Sequence, residues 1–502
     1  MLVLLIGLGL FLRLRQYVFD RSFWLDEARL ANNVVERSLG DLLTLPLDWN
    51  QAAPPGFLVA VKSATWVLGE SPKALRFVPL LAGVAALWVA WALGRAALRH
   101  GSARLCLVGA VCFAPMLVYY SSELKQYGSD ATFVLLALWL GAIFRAERWK
   151  SGVVALALAG SVSLWCSHAS AFVLAAVGTV LWVELASRRQ WRALAGMTVA
   201  GAIWLVNLAA VRALAARTFA HSNFLLNFWS VGFAPWPFGS WTSLGWYLDS
   251  GLDLVYMAFG RIGIVHKAAI PGWYTPLNVS LLFLTLVGAG CLMRKSRRLF
   301  GFAALSIAFA VAASALHLYP FRSRLILFLA PVVYLALSSL IDWLAARSGR
   351  SWGIVAALGA AGVIAAEMAG SAAIAWRPYN GADIQGALAY VKAGHAPGDQ
   401  IAPSAWSMPA YRFYARRYGL ENLPVVATVT TNFDAKAFLE TLSRTGACKR
   451  TWIILSERFR LRVTFLRALR GAAPQSDRWQ GEGAGAYLFD FSKSDICGKV
   501  KR

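Results

Sequence analysis

The sequence predicts a polytopic α-helical membrane protein that ends in a small α/β domain. Three observations carry this. The 502 residues are 58% hydrophobic and only 15% charged, more apolar surface than a soluble core needs. Apolar runs of 16–20 residues recur along the chain, each long enough to cross about 30 Å of hydrocarbon. Beyond Trp376 the runs shorten, and Gly, Pro, Asp and Arg become frequent.

The first apolar run, Leu2–Leu12, ends at Arg13 and Arg15 and not in small residues. It therefore reads as a retained span reaching Tyr17, not as a cleaved signal peptide. Further spans are expected near 77–94, 105–120, 131–144, 152–167, 169–186, 194–211, 277–293, 299–317, 325–341 and 353–375, about eleven in all. Between them lie Arg95, Arg99 and Arg104; Arg145, Arg148 and Lys150; Arg188, Arg189 and Arg192; Arg294, Lys295, Arg297 and Arg298; and Arg347 and Arg350. These five gaps hold fifteen basic residues and one acid, Glu147. Short loops rich in Lys and Arg stay cytoplasmic. The net charge of +24 is then mostly an insertion signal, and no nucleic-acid partner is expected.

That orientation places Arg13–Arg76, the turn around Glu123, the loop 213–275, the turn His317–Arg324 and the tail on the opposite, extracytoplasmic side. Pro54–Leu68 is apolar enough for a span, but crossing there would put Arg95–Arg104 outside. It is expected to lie flat as an interfacial helix opened by Pro54-Pro55. The domains are accordingly 1–376, membrane-embedded, and 377–502, extracytoplasmic. Trp229, Trp236, Trp241, Trp246 and Trp273 in the long loop read as an interfacial belt.

In the tail, Asp383–Ala393 and Asp434–Arg444 read as helices, and Gln400–Ala402, Val425–Val429, Trp452–Leu455 and Ala486–Phe491 as strands. Without a Gly-rich phosphate loop or a metal-spaced His/Cys set, this domain reads as a lid or acceptor-docking platform. Cys106, Cys112, Cys166 and Cys291 fall in spans as buried thiols. Cys448 and Cys497 flank strands expected to be neighbours, and are expected to pair.

Chemistry gathers in two charged clusters beside apolar segments, where acids are costly unless paired, hydrated or used. Trp24-Leu25-Asp26-Glu27 is the first; Glu123, Lys125, Tyr127 and Asp130 form the second. On one side of the membrane they are expected to converge on one site. A helical second cluster puts Glu123, Tyr127 and Asp130 on one face, whereas an extended one aligns Glu123, Lys125 and Tyr127; both stay open. Asp26 either reacts or pairs with Arg29, and Lys62 either binds substrate or snorkels from its helix. Arg324 is a ligand or a membrane-edge anchor. His221, His266 and His317 lack metal-ligand spacing, so neither metal nor cofactor is expected.

Four stretches in order are informative: Trp24-Leu25-Asp26-Glu27-Ala28; Gln51-Ala52-Ala53-Pro54-Pro55-Gly56-Phe57 with Lys62; Ala74-Leu75-Arg76-Phe77-Val78-Pro79; and Tyr119-Tyr120-Ser121-Ser122-Glu123-Leu124-Lys125-Gln126-Tyr127. They resemble the bacterial GT-C glycosyltransferases related to protein O-mannosyltransferases and the lipid A aminoarabinose transferase. The resemblance covers roughly the first 145 residues well, and Arg322, Arg324 and the tail more loosely. It implies a bacterial inner-membrane protein with a periplasmic tail, a polyprenyl-phosphate sugar donor, and inverting transfer at the periplasmic face to a lipid, glycan or protein hydroxyl. Asp26 falls on the catalytic base, with Glu27 beside it. In that family basic residues near the lipid boundary hold the donor phosphate; the candidates here are Lys62, Lys125, Arg322 and Arg324, with Trp24, Glu123, Tyr127 and Asp130 as further candidate donor or substrate contacts. Relatives often carry His or Lys where this chain has Ala53.

The residue chemistry agrees with that assignment. An attacking hydroxyl needs one carboxylate to take its proton, and a phosphate leaving group needs cations more than an acid. A transporter or flippase of lipid-linked sugars would show internal repeats and midplane charges, whereas these charges cluster at one face. A surface-polysaccharide ligase or polymerase differs in using a donor that carries a chain.

Overall fold

Within hydrocarbon a backbone must satisfy its own hydrogen bonds, so apolar runs of this length fold as helices. The structure is a computed structural model describing residues 1–219, 224–237, 239–260, 276–456 and 460–494. In chain order the helices are α1 (Leu2–Val18), α2 (Leu25–Glu36), α3 (Leu39–Thr44), α4 (Pro55–Leu68), α5 (Pro72–Ala97), α6 (Gly101–Phe113) and α7 (Pro115–Tyr120). There follow α8 (Tyr127–Ile143), α9 (Trp149–Cys166), α10 (Ser170–Ser187), α11 (Trp191–Phe219), α12 (Phe224–Phe228), α13 (Trp241–Phe259) and α14 (Pro276–Lys295). The remainder are α15 (Arg297–Ala315), α16 (Ala330–Ala345), α17 (Arg350–Trp376), α18 (Ile384–Gly394), α19 (Met408–Tyr418), α20 (Ala435–Arg444) and α21 (Arg460–Ala472).

The chain forms two compact units. The first comprises Met1–Phe19 with Ser38–Pro378, and the second Asp20–Arg37 with Tyr379–Arg502. In the first unit, among the described residues, eight helices are long and apolar enough to cross a membrane. They are α5, α9, α10, α11, α14, α15, α16 with the 3-10 stretch before it, and α17. The other three expected spans are shorter helices, α1, α8 and the α6–α7 pair. The chain is a multi-pass membrane protein. The run Ser323–Ala345 is central, with 94% of its most apolar window buried against 17–44% for the other seven. Around it α14 packs on α16, α6 on both α16 and α17, and α5 on α8.

One expected span, 105–120, is broken. Pro115 has no N–H to give the carbonyl of Val111, and Ala114 takes a non-helical ψ of 115°. Arg13, fully buried in α1, donates to the freed carbonyls of Val111 and Cys112 at 2.9 Å each. Ser371 of α17 donates to Phe113 O at 2.6 Å. The break is thus sealed by side chains from two other helices, as buried backbone acceptors require. Pro54–Leu68 is helical as expected, capped by Pro54 with Pro55 in its first turn.

The second unit is built on a four-stranded sheet of order β1-β2-β4-β3. Here β1 is Gln400–Pro403, β2 Arg450–Leu455, β3 Gln475–Gly481 and β4 Ala484–Asp490. β1 and β2 are parallel, while β4 runs antiparallel to both β2 and β3. Gly483, at a φ of 64°, takes the left-handed position in the β3–β4 turn. Ile453, Leu455, Phe465, Leu469, Tyr487 and Phe489 fill the core between sheet and helices. Four elements depart from the sequence expectation. β3 is polar (QSDRWQG), so no apolar alternation announces it; as the last strand of the sheet it pairs on one side only. The Arg-rich α19 and α21 are additional helices. Val425–Val429 makes two isolated bridges, to Ile401 and Ser404, instead of a full strand.

Residues 20–37, expected within the 1–376 domain, pack in this second unit. Asn32 donates to Pro409 O at 2.8 Å, Arg412 pairs with Glu36 at 2.6 Å, and the Phe23 N–H donates to the Tyr414 hydroxyl at 3.0 Å. Cys448 is disulfide-bonded; its expected partner Cys497 lies outside the described residues. The thiols of Cys106, Cys112 and Cys291 are buried, and that of Cys166 partly so.

Candidate active site

In the second unit, Trp24 caps α2 in an extended conformation, which places Asp26 and Glu27 in the first helical turn. Carboxylates there are favoured by the exposed N–H groups and the helix dipole. Adjacent helical residues point about 100° apart, so one face cannot hold both. Glu27 turns inward, fully buried, and accepts from Arg21 at 2.6 Å, with both side chains at most 1% exposed. Asp26 and Trp24 remain half-buried. Arg29, one turn on, lies within electrostatic reach of Asp26; burial lowers its pKa and Asp26 opposes that. Arg21 was not singled out by sequence reasoning, because nothing in the sequence distinguishes it from other membrane-edge arginines.

In the first unit, the second cluster is neither wholly helical nor extended. Residues 121–126 form an irregular turn between α7 and α8, in which the Lys125 N–H meets Glu123 O at 2.7 Å. Tyr127 and Asp130 then share the first turn of α8. A Cβ at Gly128 would stand 2.9 Å from Tyr120 O, so the turn closes only on glycine. Glu123, Lys125, Tyr127 and Asp130 are all buried. Lys125 donates to the Gln51 side chain at 2.6 Å, joining this turn to the Gln51-Ala52-Ala53-Pro54-Pro55 motif. Lys62, in α4, is buried at 8% exposure and does not reach out from the helix as a snorkelling residue would.

Tyr127 also meets the loop after α15. The Arg324 guanidinium stands 5.5 Å from the Tyr127 ring centroid and 5.8 Å from that of Trp229, a cation–π pair. Tyr319 in that loop is half-buried, and desolvation, then Asp130 and Tyr127 nearby, push its phenol well above its usual pKa. Arg322 faces elsewhere. Its Nε is 3.7 Å from Asp253 of α13, whose Oδ2 also accepts from the Ser323 N–H at 2.6 Å. Burial raises the Asp253 carboxyl above its usual value, against the Ser323 amide and Arg322, which lower it. Sequence reasoning missed Asp253, Tyr319 and the role of Trp229. Asp253 alone offered a signal, as an acid inside an apolar helix.

The first unit thus groups Tyr127, Asp130 and Arg324, links Lys125 to Gln51 and Arg322 to Asp253, and buries Lys62 and Glu123. Trp24, Asp26 and Glu27 belong to the second unit. Of the remaining expectations, His317 stacks on Phe233 at 4.7 Å, Trp246 donates to Val231 O at 3.1 Å, and Trp236 and Trp241 are exposed. His221, His266 and Trp273 lie outside the described residues. Among the described residues no group of three or more His, Cys, Asp or Glu is placed to hold a metal ion.

No family model matches the chain, and no curated protein matches it in sequence. Solved structures do match. ArnT from Cupriavidus metallidurans in the apo state is similar at a TM-score of 0.56 and 14% identity, over 97% of both chains. The same protein bound to undecaprenyl phosphate is similar at a TM-score of 0.57 and 14% identity, again over 97% of both. The Archaeoglobus fulgidus oligosaccharyltransferase in the apo form gives a TM-score of 0.51 at 13% identity, over 99% of this chain and 75% of that one. The chain has the GT-C fold. A GT-C fold comprises a polytopic helical bundle and, in this chain, the small C-terminal sheet, which is the architecture the sequence predicts.

Proposed function

We propose that this GT-C protein is a membrane glycosyltransferase that moves one sugar from a polyprenyl-phosphate donor to an acceptor hydroxyl, with inversion, at the periplasmic face. The observation that carries the reading is the GT-C fold along 97% of the chain, shared with an ArnT structure bound to undecaprenyl phosphate. The residue chemistry supports it. The acceptor oxygen bonds to the anomeric carbon as the bond from that carbon to the phosphate oxygen breaks. The hydroxyl proton passes to the carboxylate of Asp26, which is half-buried and so open to reactants. The electron pair leaves on polyprenyl phosphate, whose charge calls for preplaced cations, the roles of Lys125, Lys62, Arg322 and Arg324. Trp24 and Tyr127 supply aromatic surface to the sugar, and Glu123 and Asp130 its hydroxyl contacts. Glu27, held by Arg21, fixes the helix that carries Asp26.

A transfer assay in proteoliposomes tests this. Polyprenyl phosphates bearing single sugars are supplied with candidate acceptors, and released polyprenyl phosphate is counted together with the product anomer. One donor is expected to turn over to a product of inverted anomeric configuration. Donor consumption only when a sugar chain is supplied would replace this reading with a ligase or polymerase, and movement of intact donor across the bilayer without transfer would replace it with a flippase.

A further inference from the structure

The turn that carries Arg322 and Arg324 is held in an unfavourable backbone conformation. His317 and Ser323 both adopt positive φ, 56° and 52°, which side-chain-bearing residues seldom do. Such outliers persist only where surrounding contacts over-determine them. Here the contacts are identifiable: Phe321 N–H donates to Gly232 O at 2.7 Å, the Tyr319 hydroxyl to Leu325 O at 2.8 Å, and the Ser323 N–H to Asp253 at 2.6 Å. Asp253 is 2% exposed, and α13 is not one of the long apolar helices able to span a membrane. A carboxylate buried so deeply is costly unless it is paired and hydrogen-bonded. It accepts from the N–H of Ser323, the residue between the two arginines, and stands 3.7 Å from the Arg322 guanidinium. Arg324, one residue beyond the clamp, is thereby set over Tyr127 and Trp229.

We propose that Asp253 is a positioning residue: by clamping Ser323 and Arg322 it preorganises the Arg322–Arg324 turn to receive the phosphate of the lipid donor. This rests on the polyprenyl-phosphate reading above. Asp253 touches neither donor nor acceptor; it acts through the Arg322 guanidinium and the Ser323 backbone. Preorganisation matters because a flexible arginine pair loses side-chain and loop freedom each time it closes on phosphate, whereas a held pair does not. A carboxylate serves better than an amide here, since it bonds the N–H more strongly and attracts Arg322 as well.

The test uses the full-length protein in lipid nanodiscs, with undecaprenyl phosphate as the probe. Affinity is measured for the wild type, Asp253→Asn, Arg322→Gln and the double variant, beside thermal unfolding of each. Asp253→Asn keeps an acceptor for Ser323 but loses the charge, so affinity should fall about tenfold. The double variant should lose little beyond Arg322→Gln alone, because the two act in one chain of contacts. In the transfer reaction Asp253→Asn should raise the donor KM with kcat within about twofold, a split that a general loss of structure would not produce. Should that variant fail to fold, Asp253→Glu keeps the charge but shifts the clamp by one methylene, and is expected to lose affinity by a few-fold. Unchanged affinity in a folded Asp253 variant, or fully additive losses in the double variant, would overturn the proposal. If the wild type itself does not bind undecaprenyl phosphate, the donor reading falls and this role falls with it.

Discussion

At the scale of single residues, the two acids of Trp24-Leu25-Asp26-Glu27 are separated by their helical positions alone. Glu27 is buried against Arg21 and Asp26 is half-buried, so their substitutions should fail differently. Asp26→Asn keeps size and hydrogen-bonding capacity while losing the basic oxygen. Transfer should fall by about 10²–10⁴-fold, with donor affinity and unfolding temperature retained. Near-normal turnover would make Asp26 structural. Glu27→Gln instead removes the charge from the carboxylate that the buried Arg21 bonds at 2.6 Å, and should destabilise the second unit by about 3–5 kcal/mol. Replacing both partners with apolar residues should recover most of that loss, as read by thermal unfolding. Lys125→Ala should weaken donor binding more than acceptor use, because it removes a buried cation otherwise held by Gln51. Equal donor affinity in Lys125→Ala and wild type would assign the phosphate to other cations.

At the scale of elements, the break between α6 and α7 shows how a membrane helix tolerates proline. The price of the missing Pro115 N–H falls on carbonyls that lipid cannot solvate, and Arg13 and Ser371 satisfy them. Arg13→Leu should therefore lower stability by about 3 kcal/mol or more, since hydrogen bonds from a charged donor contribute about 1.5–3 kcal/mol each. Pro115→Ala restores an N–H where Val111 O needs one, so Arg13→Leu should cost less in that background. The comparison is of unfolding temperatures in detergent, and an equal cost in both backgrounds would refute the sealing role. Beyond the break α7 runs only to Tyr120, and residues 121–126 form the buried turn bearing Glu123 and Lys125.

At the scale of the whole molecule, the five basic gaps set an expected orientation. Single cysteines introduced at Gly40 and at Gly394, both exposed, should react with a membrane-impermeant reagent added from the periplasmic side. Reaction of either only from the cytoplasm would reverse the orientation and the periplasmic assignment with it. The segment 20–37 adds a constraint on how the chain is divided. Because it packs through Phe23, Asn32 and Glu36 against α19, the unit that bears Asp26 is assembled from two stretches far apart in sequence. Truncating the chain before Tyr379 should for that reason disturb α2, and not merely remove a tail.

Much of the helical architecture was legible in the sequence by itself. Lipid offers the backbone no other partner, so long apolar runs fold as helices, and α1, α5, α8–α11 and α14–α17 lie where the runs do, while the run 105–120 breaks at Pro115. The motifs likewise marked Asp26, Lys125 and Tyr127 for attention, and the looser resemblance marked Arg324. Tertiary structure alone decided which acid of the pair is buried, that Lys125 meets Gln51, that Arg324 stacks on Tyr127, and that Asp253 holds the neighbouring turn. Periodicity records which residues a helix can bury, but a buried charge is specified by its partner. Those partners come from distant segments brought together only when the helices pack.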